Sequence, residues 1–449
     1  MSGHPSTAAP ATPGRSAAPA WTAGYRGKIR LAEKALEVVA SGNRVYIHPG
    51  CAAPLPLIEA LSARGMSLRD VEVVHLLTLG SAGYALPEMA GHFRHNAMFI
   101  GANVRDAVND GRADYVPIFL GEIHRLFLDG AMPIDVALIQ VSTPDEHGYC
   151  SFGVGVDHTL HAARAARHVI AEVNTEMPRT LGDAFIHVSK IDGVVETSRP
   201  LPELVLDKDS PVADAIGRQI AALIPDGATL QMGIGAVPDA VLLHLGGHRD
   251  LGVHTEMFSD GIVDLVESGV INGERKTLHP GKVVSGFVLG TRRLFDFVDN
   301  NPVIELHPTA YTNDPFIISQ NDRMIAINSA LQVDLTGQVC ADSIGRQFYS
   351  GFGGQTDFIR GASRSKDGIP IIAMPSTALG GSVSRIVLEL DPGAGVVTTR
   401  ADVRWVVTEY GAVNLFGKNV RQRVRDLTSI AHPDYRDALE KSARDRRLL

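Results

Sequence analysis

One carboxylate in this chain stands where it could do covalent chemistry. His254-Thr255-Glu256-Met257 closes a run over 251–255, with Leu251 and Val253, that otherwise reads as a buried strand. A carboxylate there is expensive to bury unless something pairs with it, and it could serve as a nucleophile or base. The plainer alternative is a strand-end glutamate salt-bridged at the surface. Gly233-Ile234-Gly235-Ala236-Val237-Pro238 follows a strand expected over 228–232 and opens a helix. Glycines at such a turn let the backbone approach a ligand and aim free N–H groups at negative charge. The segment is not a dinucleotide fingerprint, because Pro238 fills the place of the last glycine and no Gly-Lys-Ser/Thr occurs.

The strongest local signal is Gly351-Phe352-Gly353-Gly354-Gln355-Thr356-Asp357-Phe358-Ile359-Arg360-Gly361-Ala362. Its glycines, set among aromatics and an Arg–Asp pair, mark a backbone with positive φ or one lying against a ligand. A surface loop is the alternative. Ala341-Asp342-Ser343-Ile344-Gly345 approaches a serine nucleophile elbow, but it begins with Ala and follows a hairpin, which argues against that chemistry. His92 and His95 lack the carboxylates of a metal set, and no His-Glu-x-x-His occurs, so no metal site is expected. Arg421, Arg423 and Arg425 read as a solvated helix face.

Elements must position these residues. Short runs rich in β-branched residues at 44–47, 71–77, 135–141 and 168–173 are interspersed with helical patterns such as 29–41 and 55–64. That alternation predicts an α/β fold with a parallel sheet and crossover connections. A second series starts near 209. It predicts helices over 211–223, 238–245 and 260–268, strands over 228–232 and 251–255, and a hairpin within 324–339. Buried strands over 369–373 and 403–407 and a charged helical end over 420–446 complete it. Ser198-Arg199-Pro200-Leu201-Pro202 makes a proline-stiffened link between the two α/β halves. Ligands of open parallel sheets bind beyond the carboxyl ends of the strands, so the chemistry is expected in the loops that follow them.

Composition narrows the function classes. Among 449 residues, 42 Lys and Arg face 50 Asp and Glu, for a net charge of −8, so no broad basic field exists for a nucleic acid or an anionic membrane. Cys51, Cys150 and Cys340 lie far apart, against a disulfide framework or structural zinc. No run reaches the ~18 apolar residues that a spanning helix needs. Residues 1–24, rich in Ala, Pro, Ser and Gly, read as a disordered tail and not as a secretory signal, and a cytoplasmic location is the expectation.

Together these loops resemble the acetyl-CoA hydrolase/transferase family of class I CoA-transferases, in its 4-hydroxybutyrate and butyryl-CoA:acetate branch. The likeness runs across nearly the whole chain after the tail. It rests on Ser142-Thr143-Pro144-Asp145-Glu146-His147-Gly148-Tyr149-Cys150-Ser151, Glu172-Val173-Asn174, Met177-Pro178-Arg179-Thr180, the Gly233 loop and His254 to Gly261. Ile327-Asn328-Ser329, the Gly351 to Ala362 run, Pro375-Ser376-Thr377-Ala378 and Thr408-Glu409-Tyr410-Gly411 continue it. The resemblance implies two similar open-sheet α/β domains, over 25–205 and 206–449, with the active site in the cleft between them. It implies that Glu256 is the nucleophile, with Asn328 and Glu409 in support. Gly233, Ile234, Gly235, Ala236 and Val237 would bind CoA, and Gly353, Gly354 and Gln355 would line the CoA and oxyanion region. It also implies a homo-oligomer.

The substrates so implied are an acyl-CoA and a short-chain carboxylate such as acetate, butyrate or 4-hydroxybutyrate. No permanently bound cofactor and no metal is called for. Relatives carry lysines after Pro-Ser-Thr-Ala where this chain has Leu379 and Ser382, which leaves Arg199, Arg360 and Lys190 as candidates for the CoA phosphates. Two rivals share the scaffold. An acyl-CoA hydrolase would admit water to the same glutamate, and a non-catalytic CoA-binding sensor would bind without turnover.

Overall fold

The computed structural model describes residues 19–205 and 210–449. The first sheet is wholly parallel. Its strands run in the order Asp114–Tyr115, Phe93–Ala97, Val71–His75, Arg44–Ile47, Val136–Val141, His168–Asn174, Gly193–Thr197. Every residue of Val136–Val141 is buried, the pattern of a central strand covered on both faces. From Arg44–Ile47 the chain builds outward on one side, then crosses to Val136–Val141 and builds on the other. The order therefore reverses beside Arg44–Ile47, and the loop after that strand opens onto the crevice where such sheets bind ligands.

The second sheet repeats the scheme. Its order is Ile304–Leu306, Val283–Ser285, Gly252–His254, Thr229–Met232, Met324–Ser329, Ile369–Ala373, Trp405–Thr408, Gly411–Asn414, with only the last strand antiparallel. The reversal falls beside Thr229–Met232. The helix Pro211–Ala221 starts with Ser210, whose side chain accepts from the Ala213 N–H, and with Pro at its first position. It lies directly on the helix Ala236–Leu243: a Cβ on Gly217 would meet the Ala240 backbone at 2.7 Å.

Backbone hydrogen bonds stitch the two halves together. Val288 N–H donates to Val154 O at 2.9 Å, Val156 and Asp157 N–H to Gly286 O at 3.1 Å, and Leu306 N–H to Leu181 O at 2.8 Å. Leu120 N–H donates to Gly353 O at 3.1 Å, and Leu204 N–H to Gly290 O at 2.9 Å. One apolar core runs unbroken from Tyr46 and Ile139 in the first half to Leu230 and Val253 in the second.

Three expectations need correction. Residues 1–18 lie outside the described residues, but the remainder of the expected tail is ordered, forming the helix Ala20–Arg26. The cause is Trp21 and Tyr25, four residues apart on one helix face. Trp21 Nε1 donates to Glu146 O at 3.2 Å and Tyr25 OH to Glu196 Oε1 at 2.8 Å. The helix expected over 29–41 is a single turn, Ala32–Ala35, tightening into a 3₁₀ turn, Leu36–Val38. The charged end is two helices, Val420–Ser429 and Pro433–Asp445, broken where Pro433 opens the second. Among the described residues no helix is long and apolar enough to cross a membrane.

Candidate active site

Both reversal points face one cavity of about 160 Å³. Pro49, Gly50 and Cys51, the loop after Arg44–Ile47, form one wall; Ile234, from the loop after Thr229–Met232, faces them. Leu77, Phe99, Met257, Phe287, Val288 and Leu289 make most of the rest apolar. Glu256 lines it too, one residue beyond Thr255, which follows the strand Gly252–His254. Asp157 is the second carboxylate in the wall, and it is turned into the protein, accepting from Thr159 N–H and Oγ1 at 2.7 Å each.

Glu256 is held from two sides. Asn313 Nδ2 donates to its Oε2 at 2.9 Å, and the Gly354 backbone N–H also donates to the carboxylate. Burial is the larger influence: it raises the Glu256 carboxyl from its ordinary 4.5 to about 7, against the pull of those two donors. Asp357 lies close by. Burial raises it to about 8, its Oδ2 accepts from Gly121 N–H at 3.0 Å, and both Asn313 and Glu256 act on it. Asn313 thus serves two carboxyls whose pKa values are both displaced upward, the kind of perturbation that gathers at functional sites. At the end of the strand, His254 Nε2 lies 3.0 Å from Thr312 O, and burial pushes that imidazole down to about 3, so it is neutral.

The glycines have different reasons for being glycine. Gly354 has an ordinary φ of −95°, but a Cβ there would collide with Glu256 Oε2 and Asn313 Nδ2. Its smallness is a matter of space. Gly353 has φ +54° and Gly235 φ +119°, conformations that a side chain would strain. Gly235 caps the helix Ala236–Leu243, so the loop delivers Ile234 to the cavity while Val237 is buried beneath.

Of the remaining expected site residues, Asn328, Glu409 and Gly233 stand at the carboxyl ends of strands while Gln355 and Ala236 open helices, and none forms a hydrogen bond to Glu256. Asn328 Nδ2 donates to Gln231 Oε1 at 3.2 Å across neighbouring strands. Gln355 Nε2 donates to Ser329 O at 3.0 Å. Glu409 accepts from Ser376 N–H at 2.9 Å and Oγ at 2.6 Å, which ties the Pro375-Ser376-Thr377-Ala378 segment to the edge of the sheet. Gly233 and Ala236 are half-buried in the loop beside Ile234.

Of the basic candidates, Arg199 is already engaged. Its guanidinium grips the fully buried Glu172 at 2.7 and 2.9 Å. Arg360 pairs with Asp402 at 3.4 Å and not with Asp357, its neighbour in sequence. Lys190 is exposed, beside a separate depression lined by Tyr149, Arg164 and Arg167. Arg423 is not simply solvated, for it donates to Thr336 O at 3.0 Å and Arg400 O at 2.6 Å. Ser343 Oγ bonds to Asp342 at 3.0 Å within a small hairpin, and His95 is buried, 2.9 Å from Val73 O through Nδ1.

Sequence reasoning missed Asn313 and treated Asp357 only as part of an Arg–Asp pair. Asn313 has no motif around it and lies 57 residues from Glu256. Its one visible signal is its place before Asp314-Pro315, where the short helix Thr309–Thr312 must end.

Comparison with known proteins identifies the family. The model of the acetyl-CoA hydrolase/transferase N-terminal domain matches residues 16–204, and that of the C-terminal domain matches 290–443. The chain is 54% identical to a 4-hydroxybutyrate coenzyme A transferase of Clostridium kluyveri over 93% of this chain and 98% of that one. It is 52% identical to a succinyl-CoA:acetate/propanoyl-CoA:succinate CoA transferase of Fasciola hepatica, over 90% of this chain and 85% of that one. The crystal structure of RipA from Yersinia pestis superposes with a TM-score of 0.91 at 39% identity, covering 95% of this chain and 99% of that one. The chain belongs to the acetyl-CoA hydrolase/transferase family, and within it stands with the CoA-transferases.

Proposed function

We propose that this chain moves CoA between a short-chain acyl-CoA and a carboxylate acceptor, with Glu256 as the covalent nucleophile. The observation that carries the reading is the position of Glu256: a carboxylate lining an apolar cavity at two reversal points, gripped by Asn313 and the Gly354 N–H. In the first step a Glu256 oxygen attacks the thioester carbonyl. This forms an acyl–glutamyl anhydride and expels CoA thiolate. The thiolate then attacks the glutamyl carbonyl, forming a glutamyl-CoA thioester and releasing the first acid. A second carboxylate attacks that thioester, and the expelled thiolate takes the new acyl group, which restores the Glu256 carboxylate. One hard exchange is split into covalent steps, and ping-pong kinetics follow.

Size and polarity favour small substrates. A cavity of about 160 Å³ matches the about 150 Å³ that accommodates a benzene-sized guest, which suits an acyl group of a few carbons. The apolar lining favours transfer over hydrolysis, because a dry wall denies water the glutamyl thioester. Acetate, butyrate and 4-hydroxybutyrate are the acceptors we expect, in keeping with the names of the relatives. Asn328, Glu409 and the Gly233–Val237 and Gly353–Gln355 segments shape the approach of CoA at the strand ends. Three free, buried cysteines suit a cytoplasmic enzyme.

Intact mass after mixing with acetyl-CoA, with and without borohydride, tests the assignment. A CoA-sized adduct, or its reduced alcohol, should map to Glu256 and be absent in Glu256→Gln. Addition of butyrate should then produce butyryl-CoA. Adduct formation followed by free CoA alone would make the chain a hydrolase, and retained transfer in Glu256→Gln would reject the nucleophile.

A further inference from the structure

Three metal-capable side chains that the transfer chemistry does not use converge at the outer edge of the second sheet. Glu305 lies on the edge strand Ile304–Leu306, His307 follows it, and His279 comes from the turn before Val283–Ser285. His279 Nδ1 stands 2.7 Å and His307 Nε2 3.4 Å from the same oxygen, Glu305 Oε2. One ligand atom from each lies within 4.8 Å of the other two, and no other such group of three occurs among the described residues. All three side chains are partly exposed, at 26%, 22% and 17%, so an ion has a path in.

The surroundings fit a ligand set. His279 Nε2 is 2.7 Å from Tyr311 OH, the kind of outer partner that fixes the ring of a metal-bound imidazole. His279 holds φ +51°, a left-handed backbone uncommon for a residue with a side chain. Lys282 Nζ lies 3.8 Å from the other oxygen, Glu305 Oε1, and leaves Oε2 toward the imidazoles. No motif marks this set, because 26 residues separate His279 from Glu305.

We propose that His279, Glu305 and His307 bind one borderline divalent cation of the Zn²⁺ class, with Tyr311 as its outer partner. Two imidazoles and a carboxylate suit Zn²⁺, Co²⁺ or Ni²⁺ and not Ca²⁺ or Mg²⁺. Three protein ligands leave a fourth position for water. The ion would clamp the turn at His279 to the helix Thr309–Thr312, whose next residue, Asn313, holds Glu256. It is a brace behind the site and takes no part in thioester chemistry.

Calorimetric titration of the tag-free full chain with Zn²⁺, and visible absorption with Co²⁺, test this. One equivalent should bind, with Co²⁺ d–d bands. His307→Ala and Glu305→Gln should abolish both signals while keeping a cooperative thermal transition. Tyr311→Phe should retain the site but weaken it by about 10- to 100-fold, and His147→Ala, at an exposed histidine, should change nothing. No stoichiometric binding in the wild type, or binding that survives both His307→Ala and Glu305→Gln, overturns the proposal. Should His307→Ala fail to fold, the Glu305→Gln and Tyr311→Phe titrations decide it.

Discussion

Replacing Asn313 by Leu should move the pH dependence of covalent labelling. Leu keeps much of the volume and the dryness of the site but cannot donate to Glu256 Oε2, which now receives the Asn313 amide at 2.9 Å. The Glu256 carboxyl sits at about 7, raised by burial and restrained by the Asn313 and Gly354 donors, so about half of it is ionised at neutral pH. A hydrogen bond to a charged group is worth about 1.5–3 kcal/mol, and each 1.36 kcal/mol is one pH unit. Losing it raises the carboxyl to about 8–9, leaving roughly 1–10% nucleophile at pH 7. Single-turnover adduct formation, followed by rapid quench and mass spectrometry, should therefore rise through about pH 7 in the wild type. In Asn313→Leu it should rise through about 8–9, with a deficit of roughly 5- to 50-fold at pH 7 that largely closes at high pH. A loss equal at every pH would show that Asn313 only positions Glu256. An unchanged profile would refute the claim that its amide stabilises the charged form.

Further outcomes follow from the same contacts. Gly354→Ala drives a Cβ into Glu256 Oε2 and Asn313 Nδ2, and a displacement near 1 Å should cost about 10²-fold in kcat/KM in steady-state assays while the protein melts normally. Because the Glu256 pKa is raised from 4.5 to about 7 on folding, its contribution to stability is full below pH 4.5 and is lost as pH rises through 7. Glu256→Gln should therefore be more stable than the wild type by up to about 3 kcal/mol at pH 8 and nearly equal to it at pH 4.5, as read from denaturant melts. Arg199→Ala strands the fully buried Glu172 and should destabilise by about 3–5 kcal/mol in the same measurement. Gly217→Ala pushes on the Ala240 backbone and should cost about 1–3 kcal/mol, with a raised KM for acyl-CoA because the pushed helix begins in the Gly233 loop.

The sequence carried most of the framework. Runs such as 44–47 and 369–373 coincide with strands to the residue, because a parallel strand covered on both faces reads as a near-continuous apolar run, interrupted in the first only by Arg44 at its start. Glu256 was visible because a carboxylate ending such a strand is anomalous. Its partners were not. Asn313 and Asp357 reach it from segments distant in sequence, and proximity in three dimensions leaves no periodicity behind. The nearest charge in sequence also misled: Arg360 turns to Asp402, 42 residues on, since Asp357 is drawn inward to the Gly121 N–H. The order in residues 20–26 was hidden by a flanking composition that averages out Trp21 and Tyr25.

The stitched junction bears on how such an enzyme changes over generations. With Val154 bonded to Val288, Leu181 to Leu306 and Gly353 to Leu120, backbone hydrogen bonds among the described residues tie the two halves across the cavity's surroundings. Under the proposed function, such ties favour selectivity by a mould already set before substrate arrives. A preformed mould is retuned one wall residue at a time. Under the proposed function, exchanges at Leu77, Phe99 or Met257 should lengthen or shorten the accepted acyl chain while Glu256, Asn313 and the shared core stay in place.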